Sequence, residues 1–233
     1  MRIAILAPMR QELAPVVQAF DLSRTTIGDT VVQTGTVGDT EIVATTTGIG
    51  TAGARAATER VLELQPADHV MVVGIAGGVG PTVKIGDLIF AGTVVDKATG
   101  TEYQPTHLGS PAPTARGKIV TSDDFLIDPG MLDELIADDV IALDMETSAV
   151  AEVCVARGTD WSVIRAISDM ATDHPDDAVL GLANPDGTAN GAAVAKFLLT
   201  RPWRIPSLAK LQRGSKLAAT AAARAAARAC APA

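Results

Sequence analysis

A chain of 233 residues, 47% apolar but only 3% aromatic, is long enough for one large aliphatic core rather than two independent ones. Its formal charge of −8 is unevenly spread, since every Asp and Glu lies at or before Asp186 and the rest of the chain is basic; up to that point 11 bases face 27 acids. This balance excludes nucleic acid as a partner of the body, no run reaches the 18 consecutive apolar residues of a membrane span, and the distant Cys154 and Cys230 imply neither a disulfide framework nor a zinc site. The apolar run in MRIAILAPMRQEL is too short for a signal peptide, so a cytoplasmic protein is expected.

RIAILAP (2–8) reads as a buried strand, and QELAPVVQAF after it as a helix with Glu12 in its opening turn. VVQTGTVGDTEIVATTT (31–47) alternates about Gly38 and Asp39 as a hairpin. GIGTAGARAATERVLEL predicts a glycine loop and a helix, HVMVVGIAGG (69–78) a central strand, and KIGDLIFAGTVVD (84–96) further strand. Over 97–118 the composition turns to Gly, Pro, Thr and Ser, which predicts a long surface loop. GKIVTSDDFLI supplies another strand, 129–138 a short helix, and VIALDMETSAVAEVCV (140–155) a strand running into a helix. VIRAISDMATD (163–173) opens as an apolar strand, and 187–199 is expected to be the last helix of the body.

Strands alternating with helices predict a single α/β domain over 1–200: a mixed, largely parallel twisted sheet flanked by helices. Residues 201–233 stand apart as a basic, alanine-rich tail, helical or partly disordered. Within it, Lys216, Thr220, Arg224 and Arg228 share one stripe at four-residue spacing. A solvated or frayed terminal helix is the ordinary reading of that stripe, with docking on an acidic surface as the alternative.

Ligands of open α/β sheets bind beyond the carboxyl ends of the strands. Ser168 and Asp169 end one predicted strand, Asp144 and Glu146 follow another, and Glu12 lies just past the first. One cleft with several carboxylates is therefore expected. Each acid also has a plain structural reading: helix cap for Asp144 and Asp169, dipole-compensating surface residue for Glu12. Gly48 to Gly53 match G-x-G-x-x-G, but this is not the first strand-to-helix turn and no acid ends the next strand, so a dinucleotide site is set aside. Both this loop and AGGVG (76–80), which contains Gly77, are read as tight turns that let backbone approach a small ligand. His69, His107 and His174 share no spacing that builds a metal site or a triad.

APMRQEL (7–13), TGIG (47–50), GIAGGV (74–79) with KIGDLI (84–89), LDMETSAVA (143–151) and VIRAISDMA (163–171) occur in this order. With them the chain resembles the purine nucleoside phosphorylase and nucleosidase superfamily, and within it the methylthioadenosine/S-adenosylhomocysteine nucleosidases. The resemblance implies a nucleoside phosphorylase-like fold, a purine nucleoside substrate, a homodimer, and no metal or cofactor. It also implies that Asp169 protonates or hydrogen-bonds N7 of the departing purine with Ser168 beside it, while Glu12 deprotonates the attacking water. Met145 and Glu146 would hold the ribose, Phe125 would stack on the base, Gly77 would border the substrate, and Arg165 would order the acidic site.

Such roles make chemical sense, because an acid at the base and an activated water across the sugar are what N-glycosidic hydrolysis needs. Two further readings stand beside hydrolysis: a phosphorylase in which Arg10 or Arg55 serves phosphate, and a nucleoside-binding protein without turnover. Three departures from the nucleosidase pattern accompany the match. Ile75 stands where a serine is expected, Arg10 where an acid is common, and the 97–118 segment is short, leaving Tyr103 and His107 as candidates for the far end of the pocket.

Overall fold

The first strand and the central one lie side by side, and the acids predicted to share a cleft hang near their carboxyl ends. The structure, a computed structural model, describes residues 1–109, 116–124, 129–171, 200 and 205–231. Its elements in chain order are β1 (Arg2–Ala7), α1 (Arg10–Phe20), β2 (Ser23–Ile27), β3 (Thr30–Val37), β4 (Thr40–Thr46), α2 (Thr51–Leu64), β5 (His69–Gly78), β6 (Leu88–Ile89), β7 (Thr93–Asp96) and β8 (Glu102–Tyr103). They continue as β9 (Lys118–Thr121), α3 (Pro129–Ala137), β10 (Val140–Asp144), α4 (Thr147–Arg157), β11 (Asp160–Met170) and α5 (Ile205–Cys230).

All 11 strands form one sheet with the path β2-β3-β4-β1-β5-β10-β9-β7-β8, while β11 pairs with β5 and β6. The sheet is mixed. β4, β1, β5 and β11 run parallel at its centre, as do β10, β9 and β7 beyond it. Antiparallel pairings join β2, β3 and β4, attach the two-residue strands β6 and β8, and link β10 to the end of β5. β11 covers one edge of β5 from His69 to Gly78. The other edge is shared: β1 pairs with residues 69–72 and β10 with Gly77 and Gly78.

Period-two alternation divides the core between the two faces. Ala4 and Leu6 of β1 with Val70 and Val72 of β5 face α2 and α4, while Ile3, Ile5, Met71 and Val73 face α1 and α5. A third cluster gathers α3 with β9 and β10 around Val120, Leu132, Leu135 and Val140.

Two expectations needed correction, and one strand was not foreseen. β2, whose SRTTI sequence is exposed at four of five positions, lacks the apolar alternation that signals a strand and pairs only with β3. The 97–118 segment is not wholly loop, for β8 pairs with β7 inside it. The terminal helix is also not solvated: Ala218, Ala222, Ala225, Ala226 and Ala229 are buried against α1 and the sheet. Their three- and four-residue spacing makes an apolar face whose side chains are too small to announce it by hydropathy. Arg224, Arg228 and Lys216 stay exposed on the opposite side. The helix expected at 187–199 lies outside the described residues. Among the described residues, no helix is long and apolar enough to cross a membrane.

Candidate active site

Arg165, on β11, is fully buried, and its guanidinium organises three carboxylates from two distant parts of the chain. Its Nη2 lies 2.7 Å from Asp144 Oδ2 and 3.1 Å from Glu146 Oε2. Its Nε donates to Asp144 Oδ2 at 2.9 Å, and Nη1 stands 4.0 Å from Glu12 Oε1. Asp144 is tied further by hydroxyls of Thr121, at 2.6 Å, and Thr147, and by the amides of Glu146 and Thr147. An isolated buried guanidinium would be costly, so pairing and hydrogen bonding on this scale is what makes Arg165 tolerable.

Glu12 performs two tasks from the first turn of α1. Its Oε2 accepts from the Met9 amide at 3.0 Å, closing the helix N-terminus as a capping residue does, while Oε1 accepts from the Ile75 amide on β5 at 2.8 Å. The plain reading of Glu12 as a dipole-compensating surface residue is overturned, because the side chain is 1% exposed. Burial lifts its carboxyl to about 8 against the pull of Arg165, with Glu146 adding repulsion. Glu146 is lifted to about 7, chiefly by burial, and Asp144 contributes repulsion against the pull of Arg165.

The glycine loop before α2 serves these acids. The Gly50 amide donates to Glu146 Oε1 at 3.1 Å and the Thr51 amide to Asp123 Oδ1 at 2.8 Å. Two carboxylates of the chain itself thus meet the positive end of α2, where a dinucleotide would have placed its pyrophosphate. Ile49 of the same loop does reach the pocket, in keeping with a turn beside a small ligand.

Asp169 owes its aim to a β-bulge. Ile167 is opposite Ala76 and Asp169 opposite Gly77, so Ser168 is the extra residue on β11. The Ser168 hydroxyl bonds to Asp169 Oδ1 and lies 3.4 Å from the Ala76 carbonyl oxygen. Opposite the bulge, a Cβ on Gly77 would meet no atom within 4 Å, so this strand leaves open space beside Asp169.

These residues enclose one cavity of about 270 Å³. Glu12, Asp144, Glu146 and Asp169 line it with Met145, Ser168, Gly77 and Ile75, and Asp124 lies at its edge. Among the described residues, no Lys or Arg lines it. Of the residues picked from the sequence, only Arg165 supports the pocket from behind, and Phe125 lies outside the described residues. Arg10 is exposed, Arg55 pairs with Glu152 on the surface, and neither lines the cavity. Tyr103 and His107 do not line it either. Sequence reasoning placed Asp144 in the cleft without its tie to Arg165, and gave Gly74 no role; a Cβ there would stand 2.3 Å from Glu12 Oε1 and 2.6 Å from Arg165 Nη1. The glycine that opens GIAGGV, set inside an apolar strand, was the available signal. Among the described residues, no group of three or more His, Cys, Asp or Glu could hold a metal ion.

Open sheet, strand-end carboxylates and enclosed cavity define a class. The model of the phosphorylase superfamily matches residues 2–115 and 104–200, and the chain belongs to that superfamily. Within it the chain is similar to the 5′-methylthioadenosine/S-adenosylhomocysteine nucleosidase of Bacillus subtilis, with 31% identity covering 73% of this chain and 87% of the relative. The enzyme of the same name from Shewanella oneidensis is 30% identical over 76% of this chain and 88% of its own. In fold, the Neisseria meningitidis nucleosidase bound to methylthio-immucillin-A matches with a TM-score of 0.74 at 20% identity, covering 98% of this chain and 97% of that one. The Helicobacter pylori futalosine hydrolase matches with 0.72 at 19% identity, over 98% and 97%.

Proposed function

We propose that this chain is an N-glycosyl hydrolase that releases the base from an adenosine-type purine nucleoside such as methylthioadenosine or S-adenosylhomocysteine. The observation that carries the reading is a single cavity in which Glu12 and Asp169 both stand and, among the described residues, no basic side chain does. Glu12 takes a proton from water as the oxygen attacks C1′ of the sugar. The C1′–N9 bond breaks, its electron pair passes into the purine, and Asp169 supplies the proton that N7 takes up. Glu146 accepts from the ribose hydroxyls, Met145 packs against the sugar, Gly77 leaves room for the substrate, and Ser168 steadies Asp169. Arg165 acts through Asp144 and Glu146 rather than on the substrate.

Phosphate is the competing nucleophile within the superfamily. A phosphate dianion would have to enter among carboxylates, and Arg10 and Arg55, the cations considered for it, lie away from the cavity. Water carries no such penalty. The deciding experiment follows the sugar product from methylthioadenosine with and without phosphate. Free sugar formed at the same rate in both supports hydrolysis, whereas strictly phosphate-dependent release of a sugar 1-phosphate sinks it. Binding of the nucleoside panel without any base release would leave a binding protein instead. On the family resemblance alone, the same proposal takes the working form to be a cytoplasmic homodimer, which solution mass and cell fractionation test.

A further inference from the structure

Gly214 sits inside the 26-residue helix α5, where glycine is less favourable than any residue but proline. The helix around it is rich in alanine, so composition does not explain the exception. Nor does backbone conformation, because Gly214 does not have a positive φ. A contact does. A Cβ at 214 would lie 2.3 Å from the carbonyl oxygen of Ser168 and 3.5 Å from its carbonyl carbon, with Ile85 Cγ2 next at 3.8 Å. The nearest obstacle is backbone, which cannot swing aside as a side chain could.

Ser168 is also the extra residue of the β11 bulge, the point where the register against β5 shifts and Asp169 turns toward the cavity. Its hydroxyl bonds the Asp169 carboxyl. Farther along, α5 is seated by its alanine face on α1 and the sheet, and near its end Gly109 makes a second backbone contact, at Ala229. From Gly214 to Ala229 the helix is therefore held in place, and its one glycine rests on the bulge.

We propose that Gly214 is a positioning residue for Asp169: through α5 it fixes the Ser168 carbonyl, and so the aim of the carboxyl that faces the substrate. This rests on the hydrolase reading above. It assigns the segment beyond residue 200, where the superfamily match ends, a part in the reaction.

The test compares Gly214→Ala with Ala218→Gly, one turn farther along the same buried face, using base release from methylthioadenosine. Gly214→Ala is expected to lower kcat by about ten- to a hundredfold with KM within about threefold, as misplacement of a catalytic group does, and to change the pH profile of kcat. Ala218→Gly weakens the helix and is expected to lower Tm with kcat and the pH profile unchanged. Wild-type kcat and pH profile in Gly214→Ala, or an equal loss in Ala218→Gly, overturns the proposal.

Should Gly214→Ala not fold, hydrogen exchange on the wild type decides. Amides at 168–170 and 213–216 are expected to open together, and protection at 168–170 outlasting that at 213–216 by more than about tenfold overturns it. Absence of base release from the wild type strikes the hydrolase reading instead, and the exchange measurement still judges the contact.

Discussion

Arg165 Nη1 and Glu12 Oε1 face each other at 4.0 Å across the place where residue 74 has no side chain. One guanidinium thus answers three acids, Glu12, Asp144 and Glu146, in a region where none of the four is more than 8% exposed. A single positive charge cannot offset three buried negative ones, so the cluster holds proton near neutrality, and the raised Glu12 and Glu146 carboxyls express that.

A general base must be ionised to act. With the Glu12 carboxyl lifted to about 8, mainly by burial, kcat/KM is expected to rise with pH through neutrality and level off beyond that value. Glu12→Gln should lower turnover by about two to four powers of ten and flatten the limb. It also turns an amide N–H toward one of the backbone donors, Met9 or Ile75, at a cost of about 1–3 kcal/mol in stability. A profile equally flat in the wild type would remove Glu12 from the role of base.

Asp169→Asn keeps an oxygen for the Ser168 hydroxyl but has no acidic proton to deliver. Base release should fall by about two to four powers of ten with the circular dichroism spectrum unchanged. A nucleoside analogue whose leaving group needs no protonation should lose far less. If natural and activated substrates suffer alike, Asp169 is not the acid.

Two glycines of β5 separate stability from binding. Gly74→Ala forces its methyl into Glu12 and Arg165 and is expected to lower Tm sharply and abolish activity. Gly77→Ala meets open space on the pocket side and should leave Tm within the equivalent of about 0.5 kcal/mol. Its effect should fall on KM, because the methyl occupies room meant for substrate. Unchanged KM in Gly77→Ala, measured beside thermal melts of both variants, would place the nucleoside elsewhere in the cavity.

His69, at the start of β5, is 4% exposed, and its Nε2 lies 2.7 Å from the Ser162 hydroxyl. Burial holds its pKa below 6.5, despite the opposing pull of Asp160. The neutral ring is therefore the folded form, and its contribution is complete above pH 6.5 and lost as pH falls through 6.5 toward the folded value. Each pH unit in that window costs up to about 1.4 kcal/mol. Thermal melts from pH 7.5 to pH 5 should show a smaller acid loss for His69→Gln than for the wild type; parallel curves would argue that other groups govern acid sensitivity.

Much of the site could be read from residue order alone. Strands β5, β10 and β11 carry apolar runs that end at glycine or acid, β1 leads directly into the helix that bears Glu12, and the rule that ligands gather at strand ends brought Glu12, Asp144, Glu146 and Asp169 together. What stayed hidden depends on contacts across the sheet. Nothing local reveals that Asp144 is the principal partner of Arg165, or that Gly74 clears the space between Arg165 and Glu12. β2 was missed because a polar edge strand is defined by its neighbour, not by its own pattern. Alanine conceals burial in α5 for a related reason: its small side chain signals helix strongly and core weakly.

β5 receives β1 on one edge, β10 farther along that same edge, and β11 along the whole of the other. Glu12, Glu146 and Asp169 therefore become neighbours only after segments from the beginning, middle and later part of the chain have all docked on one strand. Closing such distant loops is slow relative to forming local helices. During refolding, regain of base release should lag behind far-ultraviolet ellipticity, so that turnover reports the arrival of the last strand, and fragments that stop short of β11 should recover helix without recovering activity.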